Sequence, residues 1–297
     1  MPAASGLVPM SLLALVLVLA AAVAHAAWNI LAHGTSRSGP AFLWWGSLLG
    51  AAMWAIAIPF TGGIGTDDLR GFALGVGVSA VLHVIYITLL QRGYAAGDLS
   101  VVYALARGTG PLLTVVFAVL LLGERLAPPA VIGVVVVVAG IIAIGFADRR
   151  PRAEGTRMNL AVVFGLLTGV GIAAYTLWDT FALRTWDISP VAYMVGCAAL
   201  EVPIISAALL RRRHGVLLPV WRAEWRRIVA YGFLSPLSYI LVLTAITMAP
   251  VALVAPVREV SVLLVSLFGA FVLREARPGR RLAASAVVVA GVVLLAL

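Results

Sequence analysis

The segment 128-PPAVIGVVVVVAGIIAIGFA-147 runs for twenty residues without one ionisable side chain. As a helix it would rise about 30 Å at 1.5 Å per residue, the thickness of a bilayer's hydrocarbon core. Comparable runs recur at 7–32, 40–60, 71–92, 98–122, 158–182, 188–210, 227–248, 250–273 and 281–297. Prolines stand at several starts, Pro40, Pro128, Pro190 and Pro250, where a missing N–H is harmless to a helix. The expectation is an all-α polytopic membrane protein with ten transmembrane helices. Composition agrees: 63% of residues are hydrophobic and 11% charged, against about 45–50% apolar in soluble domains.

The basic residues then bear on topology. All 21 are arginine, and the net charge is +9. In a soluble chain such basicity would point to nucleic acid; here most arginines lie between spans, beside lipid headgroups, and no nucleic-acid partner is expected. The loops after odd-numbered spans hold sixteen arginines and those after even-numbered spans three. The positive-inside rule therefore places the odd loops in the cytoplasm and both termini outside a cytoplasmic (inner) membrane. The stretch 22-AVAHA-26 resembles a signal-peptide cleavage site, yet no positive charge precedes Leu12, so the first span is read as a retained helix. A single cysteine, Cys197, offers neither disulfide nor thiolate metal site, and no metal or cofactor is expected.

Shifted against itself by about 150 residues, the chain matches Pro40 with Pro190 and 28-WN-29 with 178-WD-179. One residue further, Arg107 falls on Arg258, Glu124 on Glu275, and 139-AG-140 on 290-AG-291. Two five-helix repeats follow, 1–147 and 158–297, joined by the polar linker 148–157. An odd number of spans makes the second copy enter from the opposite side, the inverted architecture of many secondary transporters.

The costliest residues are Arg107 and Arg258. They lie about 13 Å and about 12 Å into their spans at 1.5 Å per residue, where an arginine costs at least about 2.5–3.5 kcal/mol. Tyr103 lies one turn from Arg107. Pro111 withholds an N–H from the carbonyl of Arg107, and Pro256 and Pro236 do the same in spans nine and eight, so kinks are expected there. Glu259, Glu201 and Asp179 are the counter-charges, as ion-pair partners or as proton-coupling groups. Glu259 projects about a quarter-turn from Arg258 on a regular helix, too far round for the two to pair well. His83 and Tyr86 share a face of span three and are candidate cavity residues. Trp28 and Trp178 read as interface anchors, and 71-GFALG-75 and 165-GLLTG-169 as close helix contacts. No catalytic triad, zinc-spaced cluster or phosphate-binding loop occurs, so no enzymatic activity is expected.

The stretch 97-GDLSVVYALARGTGP-111 with 122-LGERL-126 resembles the end of an EamA-type repeat of the drug/metabolite transporter superfamily. The stretch 255-APVREVSVLL-264 with 274-RE-275 resembles the matching part of the second repeat. The resemblance implies transport of a small metabolite by alternating access, with proton coupling or exchange. Some relatives that carry phosphorylated compounds use basic residues in the helices that hold Arg107 and Arg258 here, which favours an anionic substrate. Ten-helix relatives commonly have cytoplasmic termini, the reverse of the arginine count here. The substrate-binding set is then Arg107, Arg258, Tyr103, His83 and Tyr86, in a monomer or homodimer among membrane lipids. The alternatives are export of amino acids or amphipathic compounds, and a membrane-embedded enzyme of lipid-linked substrates.

Overall fold

The computed structural model describes residues 10–31, 39–96, 99–147, 157–210, 215–271 and 278–296. The chain is built from helices: α1 Leu12–Leu31, α2 Gly39–Ala55, α3 Leu69–Ala96, α4 Leu99–Leu121, α5 Pro128–Ala147, α6 Arg157–Trp186, α7 Pro190–Leu210, α8 Leu217–Met248, α9 Val251–Arg258, α10 Val260–Phe271 and α11 Pro278–Ala296. Helices α9 and α10 occupy one expected span, interrupted at Glu259. Among the described residues, seven stretches are long and apolar enough to cross a membrane: α1, α3, α4, α6, α7, α8 and α9–α10. Helix α2 has 17 residues, and the described apolar parts of α5 and α11 are shorter still.

Two expected boundaries move. The span placed at 40–60 ends as an α-helix at Ala55, where a 3-10 turn, Ile58–Thr61, carries Pro59 and closes on Gly62 at φ +88°. Only glycine takes that left-handed backbone without strain. Conversely, α8 begins ten residues before the expected 227, because much of the arginine-rich segment is helical. Arginine and glutamate are good helix formers, Arg227 pairs with Glu224 at 3.1 Å, and Trp221 packs on Trp45 with ring centroids 4.8 Å apart. The linker 148–157 lies outside the described residues except for Arg157, which opens α6; Glu275 and Arg211 to Arg213 lie outside them as well.

The helices pair in a pattern that the repeat offset maps onto itself. Helix α1 packs on α8 and α6 on α3; α4 packs on α6, and α1 on α9 and α10. Equivalent helices also meet directly, α2 with α7 and α5 with α11. Both of these contacts are antiparallel. Gly133 faces Leu295 while Gly140 faces Val288, and Trp44 bonds Ser206 while Ser47 bonds Glu201.

Small residues bring these backbones close, as they must where lipid supplies no hydrophobic drive between helices. A Cβ on Gly169 would stand 2.6 Å from that of Thr109, and one on Gly71 would stand 2.5 Å from the Trp186 ring. Both expected glycine pairs thus mark close packing, of α6 on α4 and of α3 on α6.

Candidate functional site

The break between α9 and α10 positions the charged centre. Glu259 sits at the junction with φ −70° and ψ −4°, its N–H bonded to the carbonyl of Pro256 at 3.1 Å. That three-residue bond replaces the four-residue one and turns the following side chains off the regular helical wheel. The quarter-turn expectation for Arg258 and Glu259 therefore fails: Arg258 Nη2 lies 3.5 Å from Glu259 Oε1. Pro256 stands just ahead of this break, whereas α4 runs through Pro111 and α8 through Pro236 as single helices.

Arg107 reaches the same carboxylate across the bundle. Its Nη1 lies 3.2 Å from Oε1 and 3.4 Å from Oε2 of Glu259, and its Nη2 is hydrogen-bonded to Nε2 of His25 in α1. Its Cζ stands over the Tyr103 ring, 5.4 Å from the centroid, the geometry of a cation–π contact. Arg107 is 6% exposed, Arg258 4% and Glu259 fully buried. Two guanidinium groups thus share one carboxylate. Arg258 Nε is buried with no hydrogen-bond partner among the described residues, a state native interiors seldom tolerate without a function.

A second polar patch faces the arginines. Buried Asp179 accepts a hydrogen bond from Tyr193 at 2.8 Å and another from Tyr239. His83 donates from Nδ1 to the carbonyl of Ser79 at 2.9 Å. Its ring stacks on Tyr175 at 4.2 Å and meets Tyr239 edge-on at 5.4 Å. Tyr86 packs beside Tyr175 at 5.4 Å. Tyr175 and Tyr239 lie within electrostatic reach of Arg258, and Tyr86 and Tyr175 of Arg107. The predicted residues therefore separate into two facing groups: Arg107, Arg258, Glu259 and Tyr103 on one side, His83, Tyr86 and Asp179 on the other. Glu201 accepts from Ser47 at 2.7 Å and lies within electrostatic reach of His83.

Three members escape sequence reasoning. His25, Tyr175 and Tyr239 lie inside apolar spans; His25 falls on Tyr175 at the 150-residue offset, but the two residue types differ, so no identity marks them. Trp28, read as an interface anchor, instead packs edge-on against His25 at 4.9 Å and Tyr231 at 5.1 Å. Trp178 likewise turns inward, its Nε1 donating to the carbonyl of Gly75 at 2.9 Å.

A bundle of long apolar helices around buried ion pairs defines a multi-pass membrane protein. The chain belongs to the EamA-like transporter family, which matches residues 12–146 and again 159–297. Membership makes it a membrane transporter of the drug/metabolite kind, with a small-molecule substrate and a lipid environment. No curated protein matches the chain. A protein of known crystal structure is similar in fold at a TM-score of 0.73, with 21% identity over 95% of each chain.

Proposed function

We propose that the protein is a secondary transporter of a small anionic metabolite, working by alternating access between two inverted five-helix repeats, 1–147 and 158–297. The observation that carries the reading is the charge count at the centre: Arg107 and Arg258 face the single carboxylate of Glu259. One positive charge is left over in a dry place, and an anionic substrate group would balance it. The unpartnered Nε of Arg258 supplies a donor for such a group. The antiparallel meeting of equivalent helices, α2 with α7 and α5 with α11, supports the inversion and a ten-span count that takes in the shorter α2, α5 and α11. The arginine distribution supports termini outside the cytoplasmic membrane. The aromatic wall of His83, Tyr86, Tyr175 and Tyr239 would hold the remainder of the substrate.

The test is purified protein screened by thermal shift against phosphonates, sugar phosphates and amino acids, then reconstituted in vesicles with the best stabiliser. Anion-selective stabilisation and uptake, both lost in Arg258→Ala, is the expected result. Full uptake by an Arg107→Ala, Arg258→Ala double variant overturns the site.

A further inference from the structure

We infer that His25 is the proton-binding site of the transport cycle, its proton taken up together with the anion; this rests on the anion reading above. A guanidinium group only donates hydrogen bonds. Where Arg107 Nη2 meets His25 Nε2, the imidazole nitrogen therefore supplies the lone pair, and the ring is neutral with its proton on Nδ1. The carbonyl of His25 is held separately by Asn29 Nδ2 at 2.8 Å. The ring is fixed by Trp28, edge-on at 4.9 Å.

The surroundings explain why the empty site keeps this ring neutral. Helix α1 packs against α8, α9 and α10. From α9 and its junction come Arg258 and Glu259, and across the bundle from α4 come Arg107 and Tyr103. Helix α8 presents Tyr231 and Tyr239, and α10 carries no titratable side chain over Val260–Phe271. A proton on His25 would place a third cation beside two arginines that already share one carboxylate, and would remove the lone pair that Arg107 uses.

An anion reverses both terms. Bound to Arg258 and Arg107, it supplies a second negative charge and draws Nη2 of Arg107 from the ring. Nε2 then takes a proton from water on the open side and donates it as a hydrogen bond towards the anion. Opening to the other side releases anion and proton together, and the ring returns to Arg107. No bond within the substrate changes. Glu259 is the poorer acceptor, because a proton there forfeits contacts to both guanidinium groups. Binding of anion and proton are then reciprocal: each favours the other by the same factor.

The experiment is calorimetric titration of the detergent-solubilised full chain with methanesulfonate, a probe that does not itself titrate near neutral pH, in buffers of different ionisation enthalpy. The expected result is uptake of a proton with each anion, and affinity that weakens with rising pH by up to about tenfold per unit. His25→Gln keeps an acceptor for Arg107 but cannot titrate, and is expected to flatten that slope and abolish proton uptake. Binding by the wild-type chain without proton uptake, or an unchanged slope in His25→Gln, overturns the assignment. Absence of proton uptake in the wild-type chain overturns the assignment even where the variant fails to fold. A wild-type chain that binds neither methanesulfonate nor inorganic phosphate overturns the anion reading itself, and this inference with it.

Discussion

Glu124 stands 2.8 Å from Arg184 and at the same time takes the first two amides of α9, those of Val251 and Ala252, each at 2.9 Å. Arg184 in turn donates to the carbonyls of Ile246 and Ala249 at the end of α8. One ion pair thus caps two helix termini, a role that Pro250, with no side-chain cap of its own, leaves open. Replacing a capping acceptor with alanine costs about 0.5–2 kcal/mol. Glu124→Ala is expected to lower the melting temperature in detergent more than Arg184→Ala, since Glu124 is 8% exposed and Arg184 35%. The double variant should fall short of the sum of the singles. Strict additivity would show that the pair does not act as a unit.

The charge count at the centre makes removal of the acid and of a base unequal. Glu259→Gln leaves two buried guanidinium groups without a counter-charge, and breaking a buried pair in this way costs about 3–5 kcal/mol. Arg258→Met leaves Arg107 and Glu259 balanced one to one. The expected outcome is a well-folded Arg258→Met protein that has lost anion stabilisation, beside a Glu259→Gln protein of sharply reduced thermal stability. Equal stability losses in the two would contradict the shared-carboxylate geometry.

Asp179 depends on its tyrosines. The Tyr193 hydroxyl lies 3.1 Å from the carbonyl of Gly75 and 2.8 Å from Asp179. Trp178 donates to that carbonyl as well, and the nearer, charged carboxylate is the stronger acceptor for the Tyr193 proton. A buried acceptor deprived of its donor costs about 1–3 kcal/mol. Tyr193→Phe and Tyr239→Phe should each destabilise the protein while Asp179 is present, and do little in an Asp179→Leu background. Thermal unfolding of the three single variants and the two double variants measures this. A loss unchanged by removing Asp179 would assign the tyrosines to packing alone.

Much of the architecture was legible because apolar run length is a direct demand of the bilayer, and because Arg107 and Arg258 are too costly at depth to go unnoticed. The repeat pairs those two arginines at equivalent positions. What could not be read was which carboxylate they share. Glu259, Glu201 and Asp179 are alike as sequence, and only the backbone break at residue 259 and the crossing of α4 by α9 decide among them. His25, Tyr175 and Tyr239 were hidden for the same reason: single polar residues in apolar helices acquire a role from what the opposite helix presents. The inward turn of Trp28 and Trp178 also depends on neighbours, His25 and Gly75, that are distant in sequence or otherwise unremarked.

Gly291 is where the symmetry of the packing can be tested. It matches Gly140 in the repeat, and each faces the other's helix: a Cβ on Gly291 would stand 2.9 Å from the carbonyl of Gly133 and 2.7 Å from the amide of Val137, and one on Gly140 would stand 3.0 Å from the amide of Val288. These obstacles are backbone, which cannot rotate away as a side chain would, so α5 and α11 must separate to admit even a methyl group. Overpacking of this kind costs about 1–3 kcal/mol. Gly77, inside α3, has nothing within 4 Å of its Cβ position, and alanine there gains up to about 1 kcal/mol of helix propensity. Gly291→Ala and Gly140→Ala should therefore lower the melting temperature by similar amounts, whereas Gly77→Ala leaves it level or raises it. A Gly291→Ala protein as stable as Gly77→Ala would mean that α5 and α11 do not meet at this distance.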